Sequence, residues 1–368
     1  MNPNCEASPV QSEGFGERIR SRFFYSPISS ILSIGIGAAL VLIAVLLFKW
    51  GILDAVWAPD LQMCRSTQGA CWGFVAEKWR LILFGRFPYE EQWRAATATL
   101  LVVLMLIATA VPALWRKPRA RCLLLGWVIV LGAFFVLMYG GVAGLSSVDT
   151  DMWGGLPLTI IVTLIGMGVS SPIGILLAIG RRSRLPAISF VSTAYIELVR
   201  GVPLITVLFV ATFVFPLLLP SWMQIDAFWR VTWAIVLFQA AYMAETVRGG
   251  LQTVPQGQIH AAKSLGLTTV QCYVHVILPQ ALAAIIPAFV NSLISCFLDT
   301  SLVTIVSMYD LTGSLRLALG DAQWRAFFIE GYIFIAAVYF VSSFAVSRYS
   351  QWLERRVHPS CALRFPEL

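Results

Sequence analysis

Apolar runs long enough to cross a lipid bilayer recur along this chain, and they constrain its fold more than any other feature. The runs from Ile31 to Phe48 and from Leu156 to Ile179 contain no charged residue. Such runs lack the alternation of a half-buried strand, and they match the bilayer thickness that a helix of about 20 residues spans. Only 12% of the residues are charged, against about 25% in a soluble domain. The sequence therefore predicts an all-α integral membrane protein.

The apolar runs predict about eight transmembrane helices, at 31–48, 95–114, 122–145, 156–179, 202–219, 231–244, 281–298 and 327–346. The positive-inside rule places both termini and all the basic clusters in the cytoplasm. Those clusters are at 116–121, 181–184, 248–263 and 348–356. Asp149 and Asp151 lie in a loop without basic residues, which suits the outer face. Cytoplasmic loops therefore explain the net charge of +7 without a nucleic-acid partner.

This topology predicts how the chain is organised. The predicted parts are a cytoplasmic tail at 1–29, three spans at 30–150 with an outer loop at 51–93, a five-span core at 151–350, and a cytoplasmic tail at 351–368. The longest polar loop of the core, at 249–279, then lies in the cytoplasm.

The cysteines and histidines predict no metal site. Of the seven cysteines, only Cys64 and Cys71 share the outer loop. A location outside the cytoplasm favours a disulfide between them, and two unpaired thiols are the alternative. The cysteines form no CxxC pair and no Cys/His cluster with zinc spacing, and the three histidines fit no metalloprotease motif. We therefore expect neither a metal nor a cofactor.

The loop at 249–279 is typical of two short helices joined at a glycine. Pro255 suits the first turn of a helix, because its missing N–H is not needed there. Gly266 can adopt the left-handed conformation that ends a helix. Thr268 or Thr269 can then cap the second helix.

The residue types on this predicted hairpin leave two interpretations open. Ile259, Ala262 and Leu265 recur at three-residue steps and predict an apolar face. Small residues such as Ala261 and Gly266 permit close approach by a partner. The hairpin either docks on a partner or packs only on its own spans, and the residues alone favour neither.

The hairpin resembles the cytoplasmic loop of permease subunits of binding-protein-dependent ABC importers. The family pattern is Glu-Ala-Ala, three residues, Gly, nine residues, Ile, one residue and Leu-Pro. This chain has His260-Ala261-Ala262, then Gly266, then Val276-Ile277-Leu278-Pro279. His260 stands where Glu is usual, and Val276 stands where Ile is usual. The resemblance implies that an ATPase subunit docks on Gly257, His260, Ala261, Ala262, Gly266, Leu278 and Pro279.

Three flanking segments resemble the polar-amino-acid branch of that family. They are 197–204, 241–251 and 299–302, although Leu298 stands where the branch often has Lys. The added N-terminal spans and the loop with Cys64 and Cys71 look like the larger permease subunit of general L-amino-acid importers of Gram-negative bacteria. The resemblance implies a five-helix type I permease core preceded by three helices, in a bacterial inner membrane. It also implies two ATP-binding subunits, a second homologous or identical permease subunit and a periplasmic amino-acid-binding protein as partners.

Polar residues near the spans are candidates for the substrate path or a gate. Glu197 and Arg200, and likewise Glu245 and Arg248, lie three residues apart and are followed by a glycine. Each pair can form an ion pair on a helix, which is either part of an inner gate or a boundary contact that sets helix depth. A second group interrupts an apolar run and either contacts substrate or satisfies a helix end: Asp299, Thr300 and Ser301. Asn291 in the same predicted helix is a weaker candidate for substrate contact.

The sequence also separates classes of function. It contains no Gly-x-x-x-x-Gly-Lys-Ser/Thr loop, so ATP hydrolysis would belong to another chain. No nucleophile elbow, kinase motif or zinc signature is present, which predicts a transport subunit rather than an enzyme. An ion-gradient-driven secondary amino-acid transporter is the main alternative, and a membrane enzyme or scaffold is another. Few charged groups fall at mid-membrane, which argues against the secondary transporter.

Overall fold

The computed structural model describes residues 23–115, 119–142 and 144–357, and within them it confirms the all-helical membrane class. Six helices are long and apolar enough to cross a membrane, or seven if one bent pair counts as a span. Six or seven candidate spans are fewer than the eight that the sequence predicts. Most of the predicted tails at 1–29 and 351–368 lies outside the described residues. The chain divides into two compact units, with the boundary between Ala76 and Glu77.

The first unit contains the predicted first span. Helix α1 (Pro27–Phe48) begins earlier than expected and continues as a π-helical turn (Lys49–Leu53). The Ser26 hydroxyl accepts a hydrogen bond from the Ser29 N–H and so caps the helix. Pro27 follows the cap, where its fixed φ suits the first turn.

A small loop closed by a disulfide follows α1 in the same unit. It contains the short helix α2 (Leu61–Ser66). Cys64 and Cys71 form a disulfide with their Cα atoms 5.4 Å apart. The rings of Trp57 and Trp72 stack with their centroids 5.9 Å apart. The disulfide, rather than the alternative of two free thiols, therefore closes this short loop.

The chain passes into the second unit along α3 (Gly73–Phe84) and then forms two predicted spans, α4 (Gln92–Ala110) and α5 (Arg119–Tyr139). The buried apolar residues of α4 do not extend past the middle of the helix: Ala95, Ala98 and Val102. Beyond them, Leu104 and Ile107 are exposed. Helix α4 therefore packs against the protein core mainly through its N-terminal part.

A buried arginine ties the start of α4 to the end of α5. The Arg94 side chain is fully buried. Its Nε donates to the Leu137 carbonyl at 2.8 Å, and its Nη1 donates to Glu91 at 2.9 Å and to the Ser146 carbonyl at 3.0 Å. A buried charge is tolerated when it is paired and hydrogen-bonded in this way. Arg94 therefore fixes the ends of the α4–α5 pair.

Helices α6 (Gly155–Arg181) and α10 (Ala227–Thr253) form the centre of the second unit. A Cβ atom on Gly174 would lie 2.7 Å from the Cβ of Met243, so only glycine allows this approach of the two helices. Helix α10 contains the predicted span at 231–244 and continues past it. It falls short of the apolarity criterion for a span.

The chain between these two helices turns sharply. Helix α7 (Pro186–Arg200) is followed by α8 (Leu204–Phe209), a π-helical turn (Val210–Val214) and α9 (Phe215–Leu218). The segments before and after the break lie at 102° to each other. Pro203 explains the break, because it lacks an N–H and holds the preceding residue in an extended conformation.

The segment after α10 departs from the predicted span at 281–298. The helix α13 (Leu278–Ala284) stops at Ile285, and α14 (Ile286–Asp299) begins anew with Pro287 in its first turn. A 3-10 helix (Thr300–Val306) then extends α14, so the apolar helical segment is 286–306. The remaining elements are a short strand β1 (Tyr309–Asp310), α15 (Leu311–Ala318) and α16 (Phe328–Val357), which contains the predicted last span.

Strand β1 forms a buried polar junction with the start of α6. Tyr309 and Asp310 pair with Gly154 and Gly155 as parallel bridges. The fully buried Asp310 carboxylate accepts hydrogen bonds from the Thr304 hydroxyl, the Gly313 N–H and the Tyr339 hydroxyl at 2.9 to 3.0 Å. Three donors thus satisfy one buried carboxylate.

An aromatic cluster lies at the same ends of α6 and α10. Trp153 is 1% exposed, and its ring centroid is 4.7 Å from that of Tyr139 and 5.1 Å from that of Phe228. Phe135 of α5 stacks on Trp229 of α10 at 5.7 Å. These contacts join α5 to the starting ends of the two central helices.

Candidate functional site

The hairpin at 256–279 leaves the end of α10 and opens with helix α11 (Gln256–Ser264). Pro255 is the N-cap residue of this helix rather than part of its first turn. Ile259 and Ala262 pack against the protein core, and every other position of α11 is exposed. One narrow face of α11 therefore holds the helix in place, and the rest of its surface is available to a partner.

Leu265 does not join that packed face, so this part of the sequence prediction was wrong. It is 82% exposed, whereas Ala262 is 4% exposed. A three-residue step falls about 60° short of a full turn, so two steps rotate a side chain by about 120° away from Ile259. Leu265 is also the C-cap residue, where the chain leaves the helix.

The turn after α11 has the conformation that the sequence predicted. Gly266 has a φ of +77°, which a residue with a Cβ adopts only at a cost. The Gly266 N–H donates to the Lys263 carbonyl at 2.9 Å, and the Leu267 N–H donates to the Ala262 carbonyl at 3.2 Å. These two bonds form a Schellman motif, so the direction in which the chain leaves α11 is fixed.

The second arm of the hairpin is capped as predicted. The Thr268 hydroxyl accepts from the Gln271 N–H, and the Gln271 side chain accepts from the Thr268 N–H. This capping box starts α12 (Thr269–Cys272), which continues without a break through a π-helical turn (Tyr273–Ile277) into α13.

Pro279 accounts for the π-helical turn. A proline inside a helix removes one hydrogen bond and clashes with the carbonyl four residues earlier. A π-helical turn widens the helix at that point and relieves the clash. Because the helix is widened and not ended, a rigid path runs from the Gly266 turn to Ile285, where α14 begins.

Charged side chains at the neighbouring ends of α6, α7 and α10 form one ion network. Glu245 of α10 is at its centre, and its carboxylate lies 2.5 Å from Arg181, 2.9 Å from Arg248 and 3.7 Å from Arg200. Arg181 also contacts Glu197 of α7 at 2.8 Å. The Glu245 side chain is 16% exposed and that of Glu197 is 58% exposed. The network therefore connects three helices about two turns before α10 ends and the hairpin begins.

The network uses the predicted residues with different partners. Glu245 and Arg248 pair within their helix, as expected. Glu197 contacts Arg181, and Arg200 contacts Glu245, so the expected contact within α7 is replaced by contacts between helices. Arg181 is the residue that sequence reasoning missed, because its cluster predicted only the side of the membrane.

The two glycines that follow these pairs behave differently. Gly201 is the C-cap of α7, as predicted. Gly249 lies inside α10, which runs on to Thr253. The prediction that a glycine ends the helix is therefore correct for the first pair and wrong for the second.

The polar residues of α14 lie apart from this network. Asn291 is exposed, and Asp299 and Ser301 are half-buried. Thr300 is 1% exposed, and its hydroxyl donates to the Phe297 carbonyl at 2.7 Å. In this conformation Thr300 satisfies the end of its own helix, while Asn291, Asp299 and Ser301 keep accessible surface.

No group of three or more His, Cys, Asp or Glu side chains is placed to hold a metal ion within the described residues. The candidate site has three parts: the exposed hairpin, the ion network around Glu245 and the polar residues of α14.

Comparisons with known proteins identify the family. Residues 170–359 match the model of the binding-protein-dependent transport system inner membrane component. This match covers the ion network, the hairpin and the helices that follow. The chain belongs to this family of transporter permease components.

The relatives extend the similarity over nearly the whole chain. The chain is 41% identical over 340 residues to the inner membrane amino-acid ABC transporter permease protein YhdY of Escherichia coli K12, covering 92% of each chain. It is 33% identical to the glutamate/glutamine/aspartate/asparagine transport system permease protein BztC of Rhodobacter capsulatus, covering 95% of each. A crystal structure of an amino acid ABC transporter with histidines is 32% identical over 54% of this chain and 90% of that chain, with a TM-score of 0.49.

Proposed function

We propose that this chain is the membrane-spanning permease subunit of an ATP-driven amino-acid importer. Its relatives over more than nine-tenths of the length are named as amino-acid permeases. Membership of a binding-protein-dependent family favours this function over an ion-gradient-driven transporter. The permease forms the path for the substrate, and a separate subunit hydrolyses ATP.

The observation that carries the proposal is the exposed hairpin and its rigid connection to the spans. Helix α11 is exposed except at Ile259 and Ala262. The Schellman turn at Gly266 and the capping box at Thr268 fix its direction. A continuous helical path then leads to the start of α14. An ATPase that moves α11 would therefore move the membrane helices.

The proposed organisation follows from the charges of the loops. Residues 1–29 and 351–368 are cytoplasmic tails, residues 30–150 form three added spans, and 151–350 form the permease core. The basic clusters support an inner-membrane protein with both termini and the loop 249–279 in the cytoplasm. The disulfide between Cys64 and Cys71 supports an outer location for the loop at 51–93.

The proposed complex contains two ATP-binding subunits, a second permease subunit and a periplasmic amino-acid-binding protein. Each hairpin docks on one ATPase through Gly257, His260, Ala261, Ala262, Gly266, Leu278 and Pro279. The substrate then passes the polar residues of α14, and the ion network around Glu245 acts as part of an inner gate. Asn291, Asp299 and Ser301 are the better candidates for substrate contact because Thr300 is buried.

Reconstitution tests this proposal. The permease pair, its ATPase and its binding protein are placed in liposomes, and uptake of a radiolabelled amino-acid mixture is measured with ATP inside. Uptake should require ATP and the binding protein. Uptake driven by a sodium or proton gradient without the ATPase would contradict the proposal.

A surface variant tests the role of the hairpin. Ala261 is exposed on α11, so Ala261→Trp adds bulk to the docking surface without filling the core. The variant should insert normally and lose co-purification of the ATPase. Gln252→Trp, at an exposed position of α10, is the control and should retain the ATPase.

A further inference from the structure

The exposed surface of α11 has two chemically different edges. At about 100° per residue, the packed Ile259 and Ala262 define the inward side of the helix. Three small residues then lie on the opposite, outermost side, namely Gly257, Ala261 and Ser264. Small residues along an outermost line let the backbone of a partner approach closely.

One edge beside the small residues is basic. His260 and Lys263 lie about 60° apart on this edge, and both are exposed. Neither side chain has a hydrogen-bond or ion-pair partner in the part of the chain that the structure describes. By contrast, the Ser264 hydroxyl donates to the His260 carbonyl, and Thr268 and Gln271 satisfy each other in the capping box. The exposed Gln256 lies between these two residues on the helix. The polar groups of this edge are therefore a cation, an imidazole and a neutral amide.

The other edge has no charged residue, and it contains Leu265 and, about 20° away, the exposed Gln258. Leu265 is 82% exposed, and a Cβ on the adjacent Gly266 would meet nothing within 4 Å. Leu265 therefore projects into open space at the end of α11. Burial of such an exposed leucine against a partner is favourable, because it removes apolar surface from water.

The surrounding sequence contains nothing that would neutralise the basic edge. No Asp or Glu occurs from Thr246 to Leu298, a stretch that includes the whole hairpin. A partner surface that pairs with this edge must therefore supply the negative charge itself.

We propose that the ATPase groove that receives α11 has a carboxylate-bearing wall opposite His260 and Lys263 and an apolar pocket opposite Leu265. This inference rests on the proposed function, because it assigns the chemistry of the same docking surface. The two walls differ, so they also fix which way α11 lies in the groove. An ATPase without the acidic wall would bind this permease weakly.

Carbodiimide cross-linking of the intact transporter tests the acidic wall directly. The reagent joins a lysine amine to a carboxylate in van der Waals contact, with loss of water that the carbodiimide takes up as a urea. Mass spectrometry should find Lys263 joined to an Asp or Glu of the ATPase. Lys263→Arg should keep the ATPase bound and lose the cross-link, because a guanidinium does not react. An intact wild-type complex without a Lys263 cross-link would overturn the proposal.

Binding measurements on nanodisc-embedded permease test the energetics. Lys263→Gln and the control Gln252→Glu each lower the net charge by one, at two exposed positions. We expect Lys263→Gln to weaken ATPase binding about fivefold and to reduce its salt dependence, with little change in the control. Leu265→Ala should weaken binding about tenfold.

The outcomes separate this inference from the proposed function. If Ala261→Trp abolishes binding while Lys263→Gln behaves like Gln252→Glu, the hairpin docks on the ATPase and the acidic wall is wrong. If Ala261→Trp leaves binding unchanged, the docking role itself is wrong, and the inference fails with it.

Discussion

The two ends of helices α6 and α10 differ in how their polar groups are satisfied. At the Trp153 end, where both helices begin, Trp153 is packed among aromatic rings and Asp310 is fully buried with three hydrogen-bond donors. At the Glu245 end, the ion network consists of side chains that are 16% to 58% exposed. The hairpin next to it is exposed over most of α11.

This difference indicates which end can rearrange at low cost. Breaking a buried, hydrogen-bonded carboxylate costs about 3 kcal/mol or more. Ion pairs that keep contact with water contribute about 0–1 kcal/mol each, because water replaces the partner. ATP-driven movement is therefore expected at the Glu245 end. The Trp153 end is expected to keep its packing during transport and so to act as a fixed frame. Helix α5 strengthens that frame, since Phe135 and Tyr139 pack in the aromatic cluster.

The largest expected effect is at the Gly266 turn. Gly266→Val places a β-branched residue at a φ of +77°, which costs about 1–2 kcal/mol or more and redirects α11. ATP-dependent uptake should fall by about 100-fold and ATPase co-purification should be lost, with normal membrane insertion. Gly266→Asn should retain most uptake, because asparagine tolerates this conformation. Normal uptake by the valine variant would show that the direction of α11 does not matter.

Much of this hairpin could be predicted because its signals are local. A glycine at the end of α11 and a threonine three residues before Gln271 define the turn and the capping box without reference to the rest of the fold. The contact of Arg181 with Glu245 is different, since 64 positions separate the two residues. A basic cluster indicates a side of the membrane, and only the packing of α6 on α10 brings Arg181 to its carboxylate. The Tyr339 contact of Asp310 was missed for the same reason, because 29 positions separate the two residues.

The Trp153 end is tested by removing the Asp310 carboxylate. Asp310→Ala leaves the Gly313 N–H and the hydroxyls of Thr304 and Tyr339 without their acceptor. The free energy of unfolding in detergent should fall by about 3 kcal/mol. Tyr339→Phe removes one donor and should cost about 1 kcal/mol. If this end is a frame, uptake per folded molecule stays unchanged in both variants, and a selective loss of uptake would contradict that role.

The Glu245 end should respond in the opposite way. Glu245→Gln removes the charge that three arginines contact, and the expected loss of stability is about 1–2 kcal/mol. ATP hydrolysis should become partly independent of the binding protein, because the inner gate opens more easily. Glu197→Gln, at the most exposed carboxylate of the network, should cost less than about 0.5 kcal/mol. Equal effects of the two variants would show that Glu245 is not the centre of the network.

The smallest expected effect concerns a partly exposed ion pair between α3 and the loop after α15. Lys78 contacts Asp321 at 2.9 Å, and its hydrogen bond lowers the pKa of the Asp321 carboxyl. A carboxyl with a lowered folded-state pKa stabilises the protein above its unfolded pKa of about 3.9, and this contribution disappears as the pH falls through the lower folded-state value. Lys78→Ala should therefore reduce stability slightly at neutral pH and not at all at the acid limit. Unfolding measured from pH 7 down to the acid limit, where the carboxyl is protonated in both states, checks this sign, and 1 M salt should remove the difference. A larger effect than that of Glu245→Gln would contradict the conclusion that partly exposed pairs in this protein are weak.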